Sequence, residues 1–150
     1  MPHGFDEYAS KYEKYLCYGA KIDVRAVNAS TTAYEIGIGV LPDDSSFANF
    51  GAFIQDPGTS KLRLIGSING GRNVVRLRRF QKTRHVFGVS KAQFEGDTNY
   101  NSDVTTIPGH EAYFIIAGRP MDGASSVTIY LRVEIIYYVK FWLRKEQAQE

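Results

Sequence analysis

Apolar and polar positions alternate strictly over the last part of the chain. From residue 127 to residue 143 every odd position is apolar, whereas polar residues such as Glu134 and Lys140 take even positions. A period of two is typical of a β-strand whose two faces meet different surroundings, and it does not fit the 3.6-residue period of a helix. We therefore predict one long strand over residues 127–143.

The same period predicts two strands near the start of the chain. Residues 16–26 place apolar side chains at even positions, and residues 34–40 show a second alternation. The polar, turn-like run at residues 28–32 separates them, so we predict an antiparallel hairpin. The opposite face of the first strand carries Lys21, Asp23 and Arg25.

The second half of the chain reads as further strands and one long loop. Residues 61–68 and 72–86 are predicted to be strands joined by a hairpin turn at Asn69-Gly70-Gly71. The polar, turn-rich stretch 95–109 is predicted to be a long surface loop. Residues 112–117 are almost wholly apolar, which predicts a short strand buried on both faces.

The predicted elements amount to about seven strands and almost no helix beyond a short turn over residues 47–53. No internal repeat or long linker divides the sequence. We therefore expect one all-β domain spanning residues 1–150, built as an antiparallel two-sheet sandwich of Greek-key or jelly-roll type.

The composition supports a globular β-protein. Hydrophobic residues make up 43% of the chain, charged residues 23% and aromatic residues 13%. High aromatic content favours pleated, half-buried surfaces. The single cysteine, Cys17, excludes an internal disulfide and is typical of a reducing compartment. The longest apolar run, Ile135 to Val139, is far shorter than the ~20 residues of a membrane span, so we expect no membrane insertion.

The basic residues are concentrated in one region. Residues 57–94 contain nine of the 18 Lys and Arg residues and no acid, although the formal net charge of the whole chain is only +2. A segment of this kind favours contact with anions or with an acidic partner. The candidate nucleic-acid-binding residues are Arg72, Arg76, Arg78, Arg79, Lys82 and Arg84.

Five of these cations are predicted to share one face of a single strand, Arg79 being the exception. The interleaved Phe80, His85 and Phe87 could stack on unpaired bases. Since no sequence-reading motif accompanies the cations, we expect contact with the nucleic-acid backbone that is sensitive to salt and not specific for sequence. A solvated, purely structural cationic face is the alternative reading.

Residues for bond-breaking chemistry are scarce. The three histidines, His3, His85 and His110, fall in different segments, and Cys17 lies on the polar face of its strand. A nucleophile or metal needs an orienting base or further ligands nearby. Asp43 and Asp44 lack regularly spaced partners and fit a cap or turn better than a metal loop. We expect neither an enzyme nor a bound cofactor or metal.

Several loose motifs are similar to those of the capsid proteins of circovirus-like circular single-stranded DNA viruses. The first runs from Pro2-His3-Gly4-Phe5-Asp6-Glu7 through Tyr12 and Tyr15 to Gly19-Ala20-Lys21-Ile22, Val24 and Asn28. The others are His85-Val86-Phe87-Gly88, which follows the cationic strand, and the run Ile135 to Phe141 in the closing strand.

The resemblance implies a jelly-roll subunit that assembles into a closed icosahedral (T=1) shell around single-stranded DNA. Cationic residues would then face the lumen or neighbouring subunits, and the loop at residues 95–108 would be exposed on the outside. The implied locations are the virion and, during assembly, the host nucleus or cytoplasm.

The sequence departs from this family at its start. The family's capsids begin with an arginine-rich arm and a first strand, and neither precedes Pro2. We therefore expect either a shortened relative or a piece of a longer chain, with a jelly roll that lacks its first strand and leaves an edge open to pairing. Two alternatives remain: a carbohydrate-binding sandwich using Trp142 and tyrosines, and a monomeric module for single-stranded nucleic acid.

Overall fold

The computed structural model describes residues 4–42, 46–56 and 61–146. Within these ranges the chain forms seven strands and four short helices. The strands are β1 (Tyr12–Asn28), β2 (Tyr34–Pro42), β3 (Lys61–Ile65), β4 (Val74–Lys82), β5 (Ser102–Asp103), β6 (Ala112–Pro120) and β7 (Ile129–Arg144). The helices are α1 (Phe5–Ala9), α2 (Phe50–Gln55), α3 (Thr83–Val86) and α4 (Lys91–Gly96).

The strands form two antiparallel sheets. In the larger sheet β1 pairs along its whole length with β7, and on its other side with β4 and the two-residue β5. In the smaller sheet β2 lies between β3 and β6. The chain is therefore an all-β, two-sheet sandwich. Most connections between the longer strands cross from one sheet to the other, which is consistent with a jelly roll.

Both predicted hairpins are wrong. β1 and β2 lie in different sheets, and so do β3 and β4. Alternation indicates which side chains point inward, but it does not show which strands pair. A turn-like segment can join two neighbouring strands of one sheet, or it can connect a strand of one sheet to a strand of the other. Among the described strands longer than two residues, only β2 and β3 are both consecutive and paired.

Buried Asn28 holds the two crossings together. Its side-chain amide nitrogen donates to the carbonyl oxygens of Thr32 at 2.8 Å and of Gly66 at 3.1 Å, and its side-chain oxygen accepts from the Ser30 amide at 2.8 Å. Its backbone N–H donates to the Asn73 carbonyl. One side chain thus satisfies polar groups from the β1–β2 and β3–β4 connections, where no sheet ladder is available.

The inward faces of four strands form the core between the sheets. Its buried members, each at most 2% exposed, are Ile22, Val24 and Ala26 of β1, Ile36 and Ile38 of β2, Ile65 of β3 and Leu77 of β4. These positions follow the alternation predicted from the sequence. Burial of aliphatic side chains from both sheets stabilises the sandwich by about 1.5–3 kcal/mol for each large residue.

Several predicted boundaries differ from the observed ones. The predicted strand 72–86 is β4 followed by α3, and the predicted helical turn 47–53 is α2, which begins after the Asn49 cap. The stretch 95–109 is not wholly a surface loop, because β5 pairs with β1 and the residues Asn101, Ser102 and Val104 are buried.

The strand β6 contradicts the prediction of burial on both faces. Ala112 and Tyr113 are exposed and the following residues are only half-buried. The reason is its position at an edge: within the described residues β6 pairs only with β2, just as β7 pairs only with β1. An edge strand of a sandwich has a neighbour on one side only, so its apolar residues are covered incompletely.

The two sheets separate at these edges and enclose an apolar cleft of about 520 Å³. Its walls include Ile135, Tyr137 and Val139 of β7 and Ala112 and Phe114 of β6. The sequence leaves open which face of β7 points inward, because apolar residues occupy both sides. Pairing with the buried positions of β1 turns the odd positions of β7 toward the cleft.

Candidate nucleic-acid interface

Three of the candidate cations lie on the outward face of the larger sheet. Arg76, Arg78 and Lys82 of β4 are exposed, whereas the intervening Leu77 points into the core and is 2% exposed. Successive side chains of a strand point to opposite faces of the sheet. These cations therefore lie on the side away from β2, β3 and β6.

Strand pairing adds cations that come from distant parts of the sequence. Arg25 of β1 lies opposite Arg76 of β4 on one side and opposite Arg132 of β7 on the other, and Lys21 shares the same face. We call the outward side of β1 residues 19–27 and of their partners on β4 and β7 the cationic face. Its charged residues are Lys21, Asp23, Arg25, Arg76, Arg78, Lys82, Arg132 and Glu134.

Asp23 is the carboxylate at the centre of the cationic face. Arg76 donates from Nε to Oδ1 at 2.7 Å and from Nη2 to Oδ2 at 2.6 Å, and Arg78 donates from Nε to Oδ2 at 2.7 Å. The hydrogen bonds from Arg76, followed by those from Arg78, lower the pKa of Asp23 to about 2. One carboxylate thus holds two guanidinium groups side by side and neutralises only part of their charge.

Arg79 lies on the opposite side of β4 from these cations. It is half-buried, its Nη1 donates to the Ile38 carbonyl of the smaller sheet at 3.3 Å, and its Nη2 donates to the Gln81 side-chain oxygen at 2.9 Å. Burial lowers its pKa from the usual value, and the charge of Asp56 opposes that shift. The structure therefore places Arg79 between the sheets rather than on the cationic face.

Arg72 and Arg84 also lie outside the strand to which the sequence assigned them. Arg72 is exposed in the turn before β4 and has a positive φ of 54°, and Arg84 is half-buried in α3. The prediction that five cations share one face of one strand is therefore wrong for these two. The strand is shorter than predicted because the chain turns into α3 at Thr83.

An aromatic cluster borders the cationic face. The rings of Phe80 and Tyr138 meet edge to face at 5.4 Å, and Tyr18 packs on Tyr138 at 6.1 Å. Phe80 is 47% exposed and Tyr18 46% exposed. Exposed rings beside cations can stack on unpaired bases.

The other two residues predicted to stack on bases lie elsewhere. His85 is exposed on α3, and Phe87 packs against Tyr100 and His110 at ring distances of 5.2 and 5.7 Å. Phe80 is thus the predicted stacking residue that the structure places beside the cationic face.

Sequence reasoning did not include Lys21, Arg25 and Arg132 among the site residues. The alternation in the sequence shows that each of them is on the polar side of its own strand. The sequence does not show that β1 lies between β4 and β7, and this pairing is what brings the three residues onto one face.

Nucleophilic and metal-binding side chains are dispersed in the structure. No group of three or more His, Cys, Asp or Glu residues suited to a metal ion occurs within the described ranges. Burial raises the pKa of the Cys17 thiol, which disfavours its thiolate form at neutral pH. The predicted roles of His3, Asp43 and Asp44 fall outside the described residues.

None of the helices that the structure describes is long and apolar enough to cross a lipid bilayer. Comparisons of the chain with protein-family models, with curated proteins and with solved structures found no match.

Proposed function

We propose that this chain is a capsid subunit that assembles with copies of itself into an icosahedral shell and encloses single-stranded DNA. The observation that carries the proposal is the cationic face, on which six basic side chains from three strands accompany two carboxylates. A two-sheet sandwich suits this role because its sheets are rigid and its loops and edges are free to contact neighbours.

The cationic face is the surface that would contact the nucleic acid. Lys and Arg side chains that meet phosphates release condensed counterions, so binding of this kind is strong at low salt and weak at high salt. Phe80 and Tyr18 lie beside these cations and offer rings for stacking on unpaired bases. The proposed binding is therefore directed at single strands and is not specific for sequence.

The proposed role requires no catalytic group, cofactor or metal. The subunit acts by association alone, with other copies of the chain and with nucleic acid as its partners. We assign it to the virion and, during assembly, to the host nucleus or cytoplasm.

Electron microscopy and light scattering of the purified protein, with and without single-stranded DNA, test the proposal. We expect closed shells or large symmetric oligomers whose formation is promoted by the DNA and reduced by high salt. A strict monomer under all conditions would contradict the capsid role. If that monomer still bound single-stranded DNA, the chain would instead be a nucleic-acid-binding module.

A further inference from the structure

The strand β7 presents an unpaired edge and unusually many exposed apolar side chains. Within the described residues it pairs only with β1, so one side of its backbone has no ladder partner. The exposed fractions of its large apolar side chains range from 38% to 64%. These residues are Tyr130, Leu131, Val133, Ile135, Ile136, Tyr137 and Leu143.

An edge of this kind is a template for another strand. Unpaired N–H and C=O groups along a long, apolar edge favour pairing with a second chain, and proteins usually protect such edges with short strands, prolines or bulges. β7 is 16 residues long and contains no proline. The register shift in its pairing with β1 falls between Cys17 and Gly19 of β1. Charged side chains also protect edges, and β7 has Arg132, Glu134, Lys140 and Arg144, but the apolar run from Ile135 to Val139 between them has no such protection.

We propose that β7 pairs antiparallel with β7 of a second copy of the chain, about a two-fold axis at Tyr137. This inference rests on the self-association contained in the proposed function, and it names the surface that mediates it. Tyr137 lies at the middle of β7, so this register pairs nearly the whole strand. The two larger sheets would become one continuous sheet.

The charges of β7 favour this register over the two nearest registers that keep the same faces together. With Tyr137 on the axis, Glu134 of each copy lies opposite Lys140 of the other, which gives two complementary cross-strand pairs. If one strand slides by two residues so that the axis lies at Ile136, Arg132 lies opposite Lys140 of the other copy. If it slides by two residues the other way, so that the axis lies at Tyr138, Arg132 lies opposite Arg144. Both alternatives bring like charges together, so they are disfavoured.

A shift of one residue is excluded by the pleat. A two-fold axis perpendicular to the sheet keeps each face of β7 on the same side in both copies, and directly opposite residues share a face. In the proposed register Ile135 lies opposite Val139, and Val133 lies opposite Phe141. The apolar wall of the cleft would thus continue from one copy into the other.

Charge reversal tests the pairing. Sedimentation velocity at low salt measures the dimer dissociation constant of the wild-type chain and of the variants E134K, K140E and E134K/K140E. Each single reversal creates two like-charge pairs, so we expect dimerisation to weaken about tenfold, and the double reversal should restore it. R63E is the matched control for K140E, because Arg63 is exposed on β3 in the other sheet and its reversal should not affect dimerisation through β7.

Cysteine cross-linking tests the register. In a Cys17→Ser background, Tyr137→Cys would face its own copy across the axis, so mild oxidation should give a covalent dimer of twice the 16.9 kDa chain mass. Ile135→Cys alone should cross-link poorly, because its own copy is several residues away along the paired strand. Equal cross-linking of the two variants, or no rescue by the double charge reversal, would overturn the proposed pairing.

The outcomes separate this inference from the proposed function. Shells that form equally well with E134K would overturn β7 pairing and leave the capsid role intact. A β7-dependent dimer that neither forms shells nor binds single-stranded DNA would support the pairing and contradict the capsid role.

Discussion

At the scale of single residues, Asp23 decides how the cationic face is organised. One carboxylate accepts three hydrogen bonds from two arginines on the neighbouring strand. Without it, Glu134 on the adjoining strand would be the one carboxylate among the described residues of the cationic face to offset Arg25, Arg76 and Arg78. Asp23 therefore permits a dense row of guanidinium groups while the row as a whole stays positive.

The lowered pKa of Asp23 makes stability depend on pH. Its pKa is about 2 in the folded protein and 3.8 as the ordinary value, so its ionised form stabilises the fold above about pH 4. That contribution is lost as the pH falls from about 4 to 2. In thermal unfolding scans across this range, we expect the melting temperature of the D23N variant to fall less than that of the wild-type protein.

D23N and the wild-type protein have every other carboxylate in common, so the comparison isolates Asp23. Parallel losses of melting temperature in D23N and wild type would show that the Asp23–arginine contacts contribute nothing to stability.

The cations added by strand pairing provide a test of the nucleic-acid interface. We expect the triple variant K21A/R25A/R132A to bind single-stranded DNA more weakly and to lower the slope of log affinity against log salt by about 2, since each phosphate contact contributes about 0.7. Fluorescence anisotropy over a salt series measures both quantities.

Arg63 supplies the matched control for one cation. It is exposed on β3 in the other sheet, so R63A removes the same charge as R25A at a different surface. Equal effects of R63A and R25A on DNA affinity would mean that only net charge matters and that the cationic face is not a site.

At the scale of elements, connections that cross between sheets replace the predicted hairpins. The sequence contains the turn residues at 28–32 and 69–71, and these turns exist. The buried hydrogen bonds of Asn28 join the two connections where they cross between the sheets, and no local pattern shows them. β7 was predicted within two residues at each end because its alternation is long and strict, whereas β1 begins four residues earlier and ends two residues later than predicted.

Removal of the Asn28 side chain should destabilise the fold. N28A leaves the carbonyls of Thr32 and Gly66 and the amide of Ser30 without their side-chain partner in a buried site. We expect a loss of about 2–4 kcal/mol in the free energy of unfolding, measured by urea denaturation. The exposed Ser126→Ala variant should change stability by less than about 0.5 kcal/mol, and a similar small effect of N28A would show that water replaces its hydrogen bonds.

At the scale of the whole molecule, the sandwich is closed by its core at one side and open at the other. Aliphatic side chains of β1 to β4 pack tightly between the sheets, whereas β6 and β7 diverge around the cleft. The aliphatic core thus lies at one side of the molecule, and the incompletely covered edge strands β6 and β7 lie at the other.

Substitution of Leu77, the buried residue of β4, tests whether the assigned core stabilises the fold. We expect L77A to lower the free energy of unfolding by about 2–5 kcal/mol through lost burial and a residual cavity. Val74→Ala on the same strand, at a side chain that is 44% exposed, should cost much less. Chemical denaturation of the two variants measures the difference, and equal losses would contradict the assigned core.

The sequence alone predicted the fold class, the long strands β1 and β7 and the inward orientation of residues such as Val24 and Leu77. It did so because alternation is a local property of the extended backbone, repeated at every second residue. The tertiary structure was needed to show that β1 lies between β4 and β7, that Asp23 joins Arg76 and Arg78, and that within the described residues β7 pairs on one side only. Those features depend on backbone hydrogen bonds between distant segments, and such bonds are chemically alike for any two strands, so no local pattern specifies them.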